Sequence, residues 1–246
     1  MAIGVLTLLG FQLVDSAFIA RLGTSQLAAQ TFTFPLSFLI IGVQVGMGIA
    51  IAAQISRSLG AGETARARRL GSLVLVVGAV VIGLLSLALW ALQEPIFASL
   101  GADASALELI RDYWAPQLLA AWLGAALYFG YSLFRAHGNT RLPGTLMVVT
   151  SLVNLVLDPL LIFGVGSWEG LGLPGAAWAT LIAFGVGLAV LGWRIGETDW
   201  LAREGLLEEL RTSARPFAGI AGPAMVSQLM PPLAAIERIE VIRGPM

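Results

Sequence analysis

Cysteine and lysine are absent from this chain, histidine occurs once, and charged side chains make up only 12% of the residues. Each absence removes a class of chemistry. Without cysteine there is no disulfide framework, no thiol nucleophile and no thiolate-ligated metal, so the redox compartment is left open. The single histidine, His137, cannot build a histidine metal cluster. All fourteen basic residues are arginine, a bias that carries no function of its own. Charge this sparse cannot cover a soluble domain, in which about a quarter of residues are usually charged. With 57% hydrophobic residues and a mean hydropathy of +0.86, the chain reads as an all-α integral membrane protein.

Apolar runs that suit a bilayer fall at Ala2–Ala20, Thr31–Ile55, Leu70–Leu92, Leu109–Phe134, Leu142–Val165 and Gly175–Trp193, with a shorter one at Phe217–Met230. A span needs roughly 20 residues. The pattern predicts a six-helix transmembrane bundle plus a truncated seventh helix, with the first helix clipped. The first run lacks the basic leader and the small-residue cleavage site of a signal peptide. The expected organisation is a transmembrane lobe over 1–195, an inter-lobe linker over 196–215, the start of a seventh helix over 216–231 and a tail over 232–246.

Arginine placement gives the expected orientation. Alternate loops hold Arg57, Arg66, Arg68 and Arg69, then Arg135 and Arg141, then Arg194, Arg203, Arg211 and Arg215. The opposite loops hold only Arg21 and Arg111, beside Glu94, Asp103, Glu108, Asp112 and Glu169. The arginine-bearing loops should therefore be cytoplasmic. The linker, polar with leucines at Leu201, Leu206, Leu207 and Leu210, reads as an amphipathic helix on the membrane or against the bundle, or as a solvated connector.

Two acids, Asp15 and Asp158, sit inside apolar segments. A carboxylate at the centre of a membrane helix costs roughly 2.5–3.5 kcal/mol on insertion scales, so it normally faces a polar interior or an ion route. Asp15 precedes Arg21 by six residues and Asp158 precedes Val165 by seven. At about 1.5 Å per residue, both lie roughly 9–10 Å below the same surface. Asn154, four residues before Asp158, shares its helix face and can donate to a carboxylate. Thr180 enters its segment at a similar depth. Two acids that meet in such a layer repel each other, which favours one of them holding a proton. The blander alternative gives Asp15 a helix-capping role and makes Asp158-Pro159 a helix break, with Asn154 and Thr180 as interhelical glue.

Five local patterns resemble the multidrug and toxic compound extrusion (MATE) family of cation-coupled antiporters. They are Leu-Val-Asp-Ser-Ala-Phe-Ile-Ala-Arg-Leu-Gly at 13–23, Ile-Ser-Arg-Ser-Leu-Gly-Ala-Gly at 55–62, Arg-Ala-His-Gly-Asn-Thr-Arg-Leu-Pro at 135–143, Asn154 through Asp158-Pro159, and Gly-Leu-Pro-Gly-Ala-Ala-Trp-Ala-Thr at 172–180. The resemblance implies two six-helix lobes related by pseudo-symmetry, of which this chain supplies the first and a stub of the second. It implies export of cationic or lipophilic small molecules across the bacterial cytoplasmic (inner) membrane by alternating access, driven by proton or sodium entry. The transported cation would be the only ion required, with no resident cofactor, no enzyme activity and no nucleic-acid partner.

By the same resemblance Asp15 and Asp158 belong to the cation-coupling site with Asn154 beside them. In the branch similar to DNA-damage-inducible transporters, Tyr113 and Thr180 join them. The tail at 232–246 is instead similar to the plug segment of TonB-dependent outer-membrane receptors, as expected of a fusion or assembly artefact. Two other readings compete. One is an inactive membrane fragment lacking the second lobe that full transport needs. The other is an intramembrane aspartyl protease, disfavoured because Val156-Leu157 stand where such enzymes carry a Gly-x-Gly lead-in.

Helix glycines such as Gly42, Gly46, Gly48, Gly124 and Gly130 read as packing positions, and Pro35 and Pro116 as kinks. Trp122 and Tyr128 lie deep enough in their segment to line a cavity, with ordinary packing the more economical expectation.

Overall fold

Breaks in the helical pattern fall where glycine permits a left-handed backbone. In the computed structural model, which describes residues 14–243 with side chains through 228, residues 14–22 form α1, and Gly23 (φ 134°) separates it from α2 (Thr24–Gly60). Gly62 (φ 77°) turns the chain into α3 (Thr64–Ala91). A short α4 (Gln93–Ser99) precedes α5 (Ala104–Ala136). Then come α6 (Arg141–Phe163), α7 (Leu173–Gly196) and α8 (Leu206–Arg243). Among the described residues the only β pairing is an isolated bridge between Val165 and Trp168.

Five of these helices, α2, α3, α5, α6 and α7, are long and apolar enough to cross a membrane. The outward faces support that reading: Leu84, Leu87, Val156 and Trp193 are all more than half exposed. Such side chains are costly in water and at ease in lipid. Pro35, Pro116 and Pro159 sit inside continuous helices.

The sequence pattern alone does not predict α4. Phe97 on it is fully buried and meets Trp114 of α5 edge to face, with ring centroids 5.5 Å apart. Asp103 then caps α5 by accepting from the Ala106 amide at 2.8 Å, which satisfies one of the free N–H groups at a helix start.

In the bundle, α2 packs against α3, α5 and α8, while α5 also packs against α3 and α7. Helix α6 lies mainly on α7, and the loop between them fixes their register. Leu171 and Gly172 donate their amides to the Leu161 and Ile162 carbonyls at 2.8 and 3.1 Å. Gly164 (φ 80°) leaves no room for a Cβ against the Trp168 carbonyl, so only glycine fits there.

The loop before α8 is held to the first helices by side chains. Ser72 on α3 donates to the Ala202 carbonyl at 2.6 Å and accepts from its amide at 2.9 Å. Trp200 stacks on His137 at 3.9 Å and meets Phe134 edge to face at 4.9 Å. Glu209, 5% exposed, accepts from Arg66 at 3.1 Å, Arg69 at 3.0 Å and Ser213 at 2.6 Å. Over the expected linker, residues 197–205 are non-helical and the helix starts at Leu206. A polar residue there turns inward, while Leu207 and Leu210 are exposed.

Candidate functional site

Residues from four long helices and α1 converge on one polar layer. Asp158 on α6 is completely buried, and neither of its oxygens has a hydrogen-bond partner among the described residues. Because α6 runs unbroken through Pro159, that carboxylate is not satisfying backbone amides at a helix break. Asp15 on α1 is half-buried and lies within electrostatic reach of Asp158. Their helices are in contact nearby, since the rings of Phe18 and Phe163 meet edge to face at 6.2 Å. Those two aromatics follow Asp15 and Asp158 by three and five residues, about one helical turn.

Asn154 is buried one turn below Asp158 and donates through Nδ2 to Thr180 Oγ1 on α7 at 3.2 Å. The same amide lies beside the Asp158 carboxyl, so it ties α6 to α7 while facing the acid. Thr180 in turn donates to the Ala176 carbonyl at 3.1 Å. Tyr113 on α5 is buried, with Asp15 and Asp158 within electrostatic reach of its hydroxyl. The five residues singled out from sequence thus occupy one region.

Sequence reasoning missed Gln30 and Thr33 on α2. Gln30, 3% exposed, donates through Nε2 to Asp15 Oδ2 at 3.3 Å and also faces Tyr113, as does the buried Thr33. The available signal is an amide at the edge of an apolar run. Hydropathy starts that run at Thr31 and leaves Gln30 outside it, whereas α2 begins at Thr24.

The unpartnered buried atoms here share one chemical character. Asp15 Oδ1, Gln30 Oε1, Asn154 Oδ1 and both oxygens of Asp158 are acceptors with no donor among the described residues. Buried acceptors without donors are expensive, and a proton or a hard cation is what such a set accommodates. Among the described residues, no three His, Asp or Glu side chains gather as a metal cluster.

Trp122 and Tyr128, the deeper aromatics, have packing roles. Trp122 donates to the Ala79 carbonyl at 2.7 Å. Tyr128 packs where a Cβ on Gly48 would stand and lies beneath the Arg135 guanidinium.

The MatE family model matches residues 1–160. The chain belongs to the MatE family. It is 37% identical to a FAD transporter of Shewanella oneidensis, over 94% of this chain and 52% of that protein. It is 30% identical to a probable multidrug resistance protein, YoeA, of Bacillus subtilis, over 70% of this chain and 37% of that one. Among solved structures it superposes on the Vibrio cholerae MATE transporter VcmN in the bent form with a TM-score of 0.90 and 48% identity, covering 98% of this chain and 55% of VcmN. A point mutant of VcmN gives a TM-score of 0.91, covering 96% of this chain and 53% of the mutant. This MatE chain therefore spans about half the length of VcmN and of the FAD transporter. It is a multi-pass membrane protein of a transporter family.

Proposed function

We propose that the chain acts as the first lobe of a cation-coupled small-molecule exporter working by alternating access. The observation that supports this reading is the set of buried acceptor oxygens on Asp15, Gln30, Asn154 and Asp158 that have no donor among the described residues. Asp15 and Asp158 exchange the driving cation. Asn154, Thr180 and Tyr113 hold the layer together and offer an amide and hydroxyls. A proton neutralises one acid and lessens the repulsion between the two. A sodium ion would use the same oxygens as hard ligands.

Neutralising that charge removes the reason for α1 to stay beside α6 and α2, and a repacked α1 alters the cavity between the lobes. The second lobe completes that cavity. On this reading the protein sits in the bacterial cytoplasmic membrane, with the arginine-bearing loops on the cytoplasmic side by the positive-inside rule. The reading is of a transporter without enzymatic chemistry.

Two substrate classes compete. Cationic or lipophilic drugs fit the similarity to YoeA, and a flavin dinucleotide fits the similarity to the FAD transporter, which extends over more of the chain. Proteoliposome flux decides between them, with a fluorescent cationic dye and FAD offered in turn, for this chain alone and with a second lobe restored. Asp158→Asn in the restored protein is expected to abolish proton- or sodium-driven flux while leaving membrane insertion unchanged. Undiminished driven flux in that variant would defeat the coupling role. Absence of flux from both forms would leave a structural membrane fragment as the better description.

A further inference from the structure

At the arginine-rich end of the bundle, far along α2 from the acid layer, a cavity of about 280 Å3 opens between α2, α3 and α8. Gln54, Arg57 and Ser58 of α2, Glu63 and Arg66 at the α3 start, and Pro216 of α8 line it. We propose that this cavity binds a phosphate-bearing anion, supplied either by a phospholipid headgroup or by a free phosphate compound.

The lining is rich in donors. Arg57 is exposed and has no ion pair among the described residues. Its guanidinium can present a fork of N–H groups to an oxyanion. Arg66 is fixed in place by Glu209 at 3.1 Å and Glu63 at 3.2 Å, so a positioned cation flanks the opening. Glu63, the one acid among the described lining residues, is held by that contact.

Two further features of the lining favour an anion. Gln54 is 7% exposed, and its Nε2 has no hydrogen-bond partner among the described residues. A half-turn of the amide exchanges its oxygen for that nitrogen, so the side chain can offer a donor to the cavity. Ser58, also buried, adds a hydroxyl beside it. The α3 start, where Glu63 and Arg66 lie, has no side-chain cap; the Glu63 and Thr64 amides bond the Ser58 and Gly62 carbonyls at 2.8 and 3.0 Å, and the Ala65 and Arg66 amides, without a partner among the described residues, carry the positive end of the helix dipole. Uncapped amides, a buried amide without a partner and an unpaired guanidinium together describe a phosphate receptor better than a water-filled gap. The cavity lies where α2 ends and α3 begins, at one end of two helices apolar enough to cross a membrane, so a headgroup and a free phosphate can both reach it.

The test uses the purified chain in two arms. In detergent, Tm is compared between inorganic phosphate and sodium chloride at matched ionic strength. In vesicles, it is compared between phosphatidylcholine alone and phosphatidylcholine mixed with phosphatidylglycerol. Each arm includes wild type, Arg57→Gln, Gln54→Leu and, as a control, Arg194→Gln, an exposed arginine paired only with Glu197. Wild type and the control gain about 2–4 °C in at least one arm. Arg57→Gln lowers apparent phosphate or lipid affinity roughly tenfold or more, and Gln54→Leu lowers it less. A gain confined to phosphate identifies a free phosphate compound, and a gain confined to phosphatidylglycerol identifies a headgroup. The proposal is overturned if Arg57→Gln matches wild type in both arms, or if Arg194→Gln loses as much.

Discussion

Gln30 of α2 donates its side-chain amide to Asp15 of α1 at 3.3 Å, across the Gly23 break that separates the two helices. The bond ties α1 to one of the longest helices of the bundle, at the level where the second acid is buried. It is a tether that depends on the state of one carboxyl group, because an ionised acceptor makes a stronger hydrogen bond than a neutral one.

Replacing Gln30 with leucine removes that donor and leaves Asp15 with none among the described residues. The expected loss is about 1–2 kcal/mol of stability, within the range for a buried acceptor left without its donor. Thermal unfolding in detergent measures it. In the protein with a second lobe restored, the same variant should also uncouple part of the substrate flux from the cation gradient. A Gln30→Leu variant with wild-type Tm and full coupling would show that the contact is incidental.

Asp158→Asn should have opposite effects on stability and transport. The native carboxyl is fully buried with no partner for either oxygen among the described residues, an arrangement that costs stability and persists at functional sites. Asparagine keeps the shape and removes the charge, so the variant is expected to be about 1 kcal/mol more stable while driven transport is lost. Denaturation and flux measured on the same preparation check both halves. A clear drop in stability would mean that the carboxylate is internally compensated.

Glu209 lies outside the membrane spans, and its stabilising role should depend on pH. Burial pushes its carboxyl up, but hydrogen bonds from Ser213, Arg69 and Arg66 outweigh burial and hold it below the ordinary value of 4.5. A depressed carboxyl stabilises the fold fully above the unfolded value, and this contribution fades as pH falls through the lower folded value. Glu209→Gln should therefore unfold at lower temperature than wild type near neutrality. Because Arg66 and Arg69 stay partly solvated, the deficit is only about 1–2 kcal/mol. The two proteins should converge in Tm as pH falls below 4.5 and through the lower folded value. A deficit that stays constant into acid would point to packing instead of charge.

Gly175→Ala tests the seam that sets the level of Thr180 against Asn154. A Cβ at position 175 would meet the Leu161 backbone, and backbone yields less readily than a side chain. The expected cost is about 1–3 kcal/mol, read from denaturant unfolding. Gly185, on the same helix, has open space where its Cβ would go. Gly185→Ala should be neutral or stabilising by up to about 1 kcal/mol. Equal effects from the two substitutions would show that the close approach at Gly175 does not set the register.

The membrane class and the order of the helices are legible in the sequence because hydropathy and helix length are one-dimensional quantities. So is the common depth of Asp15, Asp158, Asn154 and Thr180, since helical rise converts residue number into height. Gln30 escapes the same reading: height alone does not say which face of α2 turns toward α1, and the apolar run that hydropathy marks begins one residue later. Helix α4 escapes because seven residues carry too short a periodicity to signal a helix, and its reason to form is the packing of Phe97 on Trp114.

Glu209 makes the contrast sharpest. Its neighbourhood in sequence is a mixture of acids, arginines and leucines, in which leucine is the natural choice for the inward face. In the folded chain the acid is buried and Leu207 is exposed, because Arg66 and Arg69 wait on α3 with charge to share. Composition by itself determined the solvent of this protein, its helical character and the rarity of its intramembrane acids. Tertiary structure decided which polar groups meet, since hydrogen bonds and ion pairs act over a few ångströms between residues more than a hundred positions apart, and no local pattern encodes that proximity.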